Sequence, residues 1–408
     1  MSRIRLSVAL ATLFALLMIP APASAMKFEA PNGSPVTGFG SITRAVTADF
    51  NGDGRDDLAT ATGSTGGGVS FRLAQANGSW TAVSSLDSTT GVYGLASGDI
   101  TGDGKADLVT TGTGQNGHLI RLWAGNSGGS FDGPYDVPNS TDLHPGGPRS
   151  LAIGDVTGDG EADILYGLTK GEYTISVGTG STDFDNTITG GTHVTGAPSG
   201  ASDRFTAVAI GDYNGDGDPD FALGMSPSTL DDPSLVDIYV MLGDGAGGFT
   251  PADGNPVQVA EPADYEGRIL SMATGNFNGD GRDDLAVSTT SGDPRGLVSE
   301  TVGTIQTFLG SATNGLASDT VVAMSDDRPG PVLTGDFDRD NKTDLAWMER
   351  IVPNGPSTDR VAVSRGNGDG TFSGSADSPF VFATGTGYTS DLVSGDFNGD
   401  HAPDFGSA

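Results

Sequence analysis

One acidic nine-residue loop recurs seven times along this chain, at intervals of 50 to 64 residues. The copies read DFNGDGRDD from Asp49, DITGDGKAD from Asp99, DVTGDGEAD from Asp155 and DYNGDGDPD from Asp212. NFNGDGRDD from Asn276, DFDRDNKTD from Asp336 and DFNGDHAPD from Asp396 complete the set. A period of this size means that each repeat is one supersecondary unit, which buries its apolar face only by stacking on its neighbours. The period, rather than the 408-residue length, therefore sets the architecture.

Each loop is flanked by short apolar segments. Ala45–Ala48, Leu95–Gly98, Leu151–Gly154 and Val208–Gly211 precede loops, while Leu58–Ala61, Leu108–Thr110, Ile164–Tyr166 and Leu285–Val287 follow them. Their length, β-branched content and glycine borders predict buried strands. A third segment follows, such as Leu119–Trp123 or Val236–Val240, and ends in a glycine-rich turn and an aromatic, as in Gly243–Phe249 and Gly366–Phe372. These read as hairpins to a fourth, outer strand. Four strands per repeat in a radial array predict an all-β chain folded as a seven-bladed β-propeller. After the seventh loop only Phe405–Ala408 remain, so the last blade is expected to be incomplete. The stretch Met26–Gly40, with Phe28–Pro31 and Val36–Thr37, resembles an outer strand and is expected to close that blade.

Oxygen-bearing side chains at alternate positions of a tight, glycine-bent curl suit a hard cation the size of calcium. The candidate ligands at positions 1, 3, 5, 7 and 9 are Asp49, Asn51, Asp53, Arg55 (through its carbonyl) and Asp57 in the first loop. In the second and third they are Asp99, Thr101, Asp103, Lys105, Asp107 and Asp155, Thr157, Asp159, Glu161, Asp163. In the fourth and fifth they are Asp212, Asn214, Asp216, Asp218, Asp220 and Asn276, Asn278, Asp280, Arg282, Asp284. The sixth offers Asp336, Asp338, Asp340, Lys342, Asp344, and the seventh Asp396, Asn398, Asp400, Asp404. Position 12 of the first loop is Thr60 rather than glutamate, so Asp57 must close the site, unlike the EF-hand arrangement. Magnesium demands a stiffer octahedron, and zinc prefers His or Cys, which the loops lack apart from His401.

The alternative is an Asx-turn loop whose acids simply face water. Against it, two carboxylates about 4 Å apart repel by ~1 to 4 kcal/mol. The first and fourth loops keep every expected feature, while Thr101 and Thr157 are weaker ligands at position 3. Asn276, Arg339, Asn341 and His401 depart from the pattern; Asn341 suits a left-handed turn, and the seventh loop departs furthest. Extracellular calcium sites with Kd of about 10⁻⁴ to 10⁻³ M add about 0.4 to 1.4 kcal/mol each to folding at roughly 1 mM calcium. Such ions are structural cofactors, not catalytic ones.

Charge and composition agree with a metal-stapled exported protein. Residues 1–25 read as a secretory signal peptide: Arg3 and Arg5, an apolar run from Leu6 to Ile19, then Ala23-Ser24-Ala25. The apolar run is short for a membrane span, which needs about 20 residues. The net charge of −32 excludes the basic surface that nucleic acid or anionic membrane requires. With no cysteine, disulfides cannot staple the fold.

The core G-D-F-N-G-D-G-x-x-D-L, as at Asp49–Leu58 and Gly395–Asp400, with the hairpin Gly243–Phe249, resembles the FG-GAP/VCBS repeat family found in integrin α-subunit heads. The resemblance spans nearly all of residues 26–408 and implies a propeller with calcium between the first and second strands of each blade. It also implies adhesion, glycan binding or service beside an enzyme, so fold does not settle function.

Other motifs read as turns. Gly125–Gly129 matches G-x-S-x-G but lies in a hairpin, and Gly112–Gly117 matches G-x-G-x-x-G but leads into a strand. His118, His144, His193 and His401 are scattered over different repeats. Trp80, Trp123 and Trp347 fit inter-blade packing better than sugar stacking. The favoured reading is a secreted, calcium-binding, integrin-like adhesion or binding module for a protein or glycan, without a catalytic site. Its ligand contacts would lie in Pro138–Pro148, Thr192–Asp203, Pro227–Leu235 and Gly292–Glu300. The alternative is a polysaccharide lyase or hydrolase, or its accessory domain, using a channel group such as Asp142, His144, Glu261, Asp264, Glu266 or Glu349.

Overall fold

In a computed structural model of the chain, the segments on either side of each acidic loop pair as antiparallel strands. The structure describes residues 42–407 apart from 63–67, 84, 87–90, 115–116, 139–149, 169–171, 191–203, 227–235, 260–265, 293–301, 314, 326–327, 352–357, 374–379 and 382–390. The signal sequence and the expected closing strand Met26–Gly40 lie outside the described residues.

Six sheets follow one plan, with strands ordered from inside to outside as they occur in the chain. The first holds Ile42–Ala48, Asp57–Thr62, Val69–Ala74 and Trp80–Ala82. The second holds Val92–Gly98, Asp107–Gly114, Gly117–Asn126 and Ser130–Asp136, and the third Leu151–Gly154, Asp163–Gly167, Tyr173–Gly178 and Phe184–Gly190. The fourth holds Arg204–Gly211, Asp220–Ser226, Asp237–Gly243 and Phe249–Pro251, with Val257–Gln258 also on its third strand. The fifth holds Glu266–Gly275, Asp284–Gly292, Val302–Ser311 and Gly315–Ser325. The sixth holds Arg328–Gly335, Asp344–Ile351, Thr358–Gly366 and Phe372–Ser373, joined by Phe380–Val381. Among the described residues the seventh repeat forms a two-stranded sheet, Leu392–Gly395 with Asp404–Ser407. Six blades are therefore complete, not the seven expected. The chain after the seventh loop supplies one strand, and nothing described pairs with its outer edge.

Neighbouring sheets share their cores, which is why one repeat could not fold alone. Phe50 and Phe71 of the first sheet meet Phe131 of the second, with ring centroids 5.6 and 4.7 Å apart. Tyr173 of the third meets Phe221 of the fourth at 4.8 Å. At three junctions the inner strands are also tied by a side-chain hydroxyl two residues before the loop. Ser97 Oγ donates to the Thr47 carbonyl at 3.1 Å, Thr334 Oγ1 to that of Thr274 at 2.6 Å, and Thr47 Oγ1 to that of Ser394 at 2.7 Å. The last of these joins the first sheet to the two-stranded seventh, using the same bond that joins complete blades.

Antiparallel order also sorts the connections. Acidic loops join first to second strands and glycine hairpins join third to fourth, so both emerge on one face. Connections from second to third strands, and from one sheet to the next, emerge on the opposite face. Among the described residues no helix is long and apolar enough to cross a membrane.

Candidate metal centre

Each acidic loop is built by its own backbone. In the first, Asp49 Oδ1 accepts the N–H groups of Gly52 and Asp53 at 2.7 and 3.1 Å, and Oδ2 accepts that of Gly54 at 2.8 Å. The curl needs left-handed backbone at positions 4 and 6, supplied by Gly52 (φ 78°) and Gly54 (φ 82°). Arg339, Asn341 and His401 take the same conformation at φ 64°, 63° and 64°, so the sixth and seventh loops keep the curl without those glycines. Asp396 still accepts the N–H groups of Gly399, Asp400 and His401. Neutral Asn276 accepts the N–H of Gly279 at 2.7 Å.

The acids at positions 1, 3 and 5 stay on the outer curl, whereas position 9 turns inward. Asp57, Asp107, Asp163, Asp220, Asp284 and Asp344 are fully buried. In each, Oδ2 accepts the N–H of position 2, from Phe50, Ile100, Val156, Tyr213, Phe277 and Phe337 at 2.6 to 3.1 Å. Oδ1 accepts an N–H from the third strand, from Ala74, Gly125, Gly178, Gly243, Gly310 and Gly366 at 2.7 to 2.9 Å. One carboxylate thus holds the loop to two strands. Asp404, in the seventh repeat, is half-buried and, among the described residues, accepts the Phe397 N–H alone, at 3.1 Å.

Burial pushes these carboxyls up, against the pull of their backbone donors: Asp57 to about 7, and Asp220, Asp344 and Asp404 to about 6. Asp107, Asp163 and Asp284 are raised for the same reason. A cation beside them would offset that penalty.

Sequence reasoning cast position 9 only as a ligand and missed its bond to the third strand. A signal was present in the glycine that opens the hairpin in every complete sheet but the first, where Ala74 stands. A Cβ on Gly125, Gly178, Gly243 or Gly366 would stand 2.0 to 2.2 Å from the position-8 carbonyl. A second missed contact is the acid at position 8. Asp283 N donates to the Asp212 carbonyl and Asp212 N to Asp283 Oδ2, both at 2.9 Å. Asp56 repeats this with Asp396, at 2.9 and 2.8 Å, across the junction of the seventh and first sheets.

One observation fits a cation such as calcium: carboxylate oxygens of Asp336, Asp338 and Asp340 in the sixth loop converge within 4.8 Å of one another. The remaining candidate groups lie elsewhere. Asp142, His144, Glu261 and Asp264 fall outside the described residues. Glu349 is buried and accepts from Trp347 Nε1 at 2.9 Å and Arg360 Nε at 2.6 Å, so its charge is already paired. Trp123 and Trp347 are buried, and Trp80 packs on Phe397 of the seventh loop at 5.2 Å, in line with inter-blade packing. Gly128 and Gly129, at φ 89° and 77°, make the G-x-S-x-G stretch a hairpin turn.

Radial sheets that share their cores, each carrying an acidic curl between its first and second strands, define a repeat β-propeller. Residues 49–110, 99–166 and 336–407 match the FG-GAP-like repeat, and residues 270–305 match the FG-GAP repeat. The chain belongs to the FG-GAP repeat family. Among solved structures it is similar to BBS1N in complex with ARL6DN, soaked with lead, at 11% identity over 83% of this chain and 82% of that chain, with a TM-score of 0.41. It is also similar to the Dos1 propeller, at 9% identity over 82% of this chain and 71% of that chain, with a TM-score of 0.44. At these scores neither defines the fold. No curated protein sequence matches the chain.

Proposed function

We propose that this chain is a secreted, calcium-stabilised propeller that acts as a non-catalytic binding module for a protein or glycan. The observation that carries the reading is the separation of faces. The acidic loops and hairpins occupy one face, where the buried position-9 carboxylates are engaged in tying loop to third strand within each blade. The strand ends that flank Pro138–Pro148, Thr192–Asp203, Pro227–Leu235 and Gly292–Glu300 lie on the other, while the segments themselves fall almost wholly outside the described residues. Variable connections on a rigid scaffold are where binding residues concentrate. Calcium would be held by the outer carboxylates of positions 1, 3 and 5 with position 9 behind them, and would supply charge neutralisation alone. That Met26–Gly40, outside the described residues, adds a strand to the last blade is part of this proposal; the bonds between the seventh and first sheets are compatible with it. Export rests on residues 1–25.

The test replaces residues 139–148 or 228–235 by Gly/Ser linkers of equal length and screens glycans and cell-surface proteins in calcium. Binding that these replacements abolish, with melting unchanged, supports the proposal. Polysaccharide turnover that survives them, and is lost on changing one carboxylate, supports an enzyme instead.

A further inference from the structure

The inner strands repeat one irregularity. In the first, second, fourth and fifth, the pairing register shifts six residues before the acidic loop, at Thr43, Tyr93, Thr206 and Leu270. A bulge of this kind re-aims the side chain it carries. Thr43 Oγ1 donates to the Val92 carbonyl at 3.2 Å and Thr206 Oγ1 to that of Ile269 at 2.9 Å, so each staples its blade to the next. Leu270 has no hydroxyl to do the same. It stands 39% exposed, one of three large apolar side chains so uncovered among the described residues.

Arg268, two residues earlier on the same strand, is also exposed. Among the described residues it makes no hydrogen bond or ion pair, whereas arginines of the acidic face are engaged, Arg55 with Asp53 and Arg282 with Asp280. Thr290 lies directly opposite Arg268 on the second strand. Thr290 is 6% exposed, and its hydroxyl is buried without a hydrogen-bond partner. Cross-strand neighbours share one face of a sheet, so the guanidinium and the hydroxyl border the same place. A Cβ on Gly303, which pairs with Thr290, would stand 2.2 Å from the Pro329 ring, so the sixth sheet closes against this point. Arg268, Leu270 and Thr290 all lie toward the strand ends away from the acidic loops, beside the connection Gly292–Glu300. Arg204 and Arg328 occupy the register position of Arg268 in the fourth and sixth inner strands, and Arg350 pairs with Arg328. The acids on these strand ends are Glu266 and Glu349, and Glu349 is already bound to Trp347 and Arg360.

We infer that the junction of the fifth and sixth sheets, on the face opposite the acidic loops, binds the carboxylate of an acidic sugar through Arg268 and Thr290, with Leu270 against the sugar ring. The inference rests on the binding-module reading above and names the chemistry of its ligand. In a chain of net charge −32 an anion is repelled over most of the surface, and an unpaired arginine marks where it is not. A carboxylate there accepts charge-assisted bonds from the guanidinium and a further bond from Thr290 Oγ1, which satisfies a hydroxyl that is otherwise buried at a cost. The exposed Leu270 side chain supplies the apolar surface on which the C–H face of a sugar ring can lie.

Calorimetric titration of the full chain in calcium tests this, with a glucuronate-bearing tetrasaccharide, its methyl ester and a tetraglutamate peptide as probes. The tetrasaccharide is expected to bind, and the ester, which removes the charge, to bind at least about tenfold more weakly. Arg268→Gln and Thr290→Val should each weaken the tetrasaccharide by about tenfold or more. Neither should lower the melting temperature, because Arg268 is exposed and valine replaces an unpartnered hydroxyl with a methyl group of the same shape. A fall in melting temperature for Thr290→Val would mean that the hydroxyl serves the fold, and would overturn its role here. Equal binding of acid and ester, or full affinity in both variants, overturns the inference and leaves the binding-module reading standing. Tetraglutamate bound as tightly as the tetrasaccharide overturns the assignment to a sugar. No binding of the tetrasaccharide overturns the inference alone; the binding-module reading falls only if the wider screen of glycans and cell-surface proteins also yields nothing.

Discussion

Replacing Asp107 by alanine isolates the work of an inward-turned carboxylate. Asp107 accepts three backbone N–H groups: Ile100 at 2.9 Å, Thr101 at 2.8 Å and Gly125 at 2.7 Å. Hydrogen bonds to a charged acceptor contribute about 1.5 to 3 kcal/mol each, and an orphaned buried donor costs about 1 to 3 kcal/mol. Burial of the carboxylate offsets part of this, as its raised pKa shows. The net loss should be about 3 to 5 kcal/mol. Asp404 provides the internal control, because among the described residues a single N–H reaches it, from Phe397 at 3.1 Å. Asp404→Ala should lose only about 1 kcal/mol. Urea unfolding in chelator measures both without any contribution from a lost metal ligand. Asp107→Asn, which keeps the volume but turns an amide donor toward backbone donors, should cost nearly as much as alanine. Equal losses for Asp107→Ala and Asp404→Ala, or a neutral Asp107→Asn, would refute the clasp.

Three further perturbations have defined outcomes. Burial pushes Asp237, a buried residue of the fourth sheet, up to about 6 from 3.8. The folded state therefore holds its proton more tightly than the unfolded chain. The stability this provides is complete below about pH 4 and lost as pH rises through about 6. Asp237→Asn should then stabilise the protein by about 2 kcal/mol at pH 8 and leave it unchanged at pH 4, read by urea unfolding at both values. A Cβ on Gly310 would stand 2.4 Å from the Asp283 carbonyl and 2.8 Å from that of Tyr213. Gly310→Ala should cost about 3 kcal/mol or more, against about 1 kcal/mol for Gly52→Ala, whose Cβ meets nothing within 4 Å, in the same unfolding assay. Asp56→Ala removes the acceptor for the Asp396 N–H and should raise hydrogen exchange in residues 392–407 specifically. Asp283→Ala should instead loosen the junction of the fourth and fifth sheets.

The parts legible in the sequence are those written locally. The acidic curls follow from alternate oxygens and glycines within nine residues, and Asn341 at φ 63° takes the left-handed turn its side chain tolerates. Strands such as Leu119–Trp123, inside Gly117–Asn126, were visible from β-branched runs between glycine borders. What escaped the sequence depends on register between distant segments. The bond from Gly310 N to Asp284 spans 26 residues and that from Asp396 N to Asp56 spans 340. The ligand pattern also hid the balance of charge. Position 7 was read for its carbonyl, yet the side chains of Arg55, Lys105, Arg282 and Lys342 reach back over position 5. The blade count shifted because Asp404–Ser407 supplies one strand beyond the last loop, leaving a two-stranded sheet where four strands complete a blade.

The central claim is that calcium holds the acidic curls and so the propeller. Calorimetric titration of metal-free protein with calcium, paired with melting in calcium and in chelator, tests it directly. The account predicts binding of several calcium ions per chain and a melting temperature many degrees lower in chelator. Absence of calcium binding, with identical melting curves in both buffers, would contradict it.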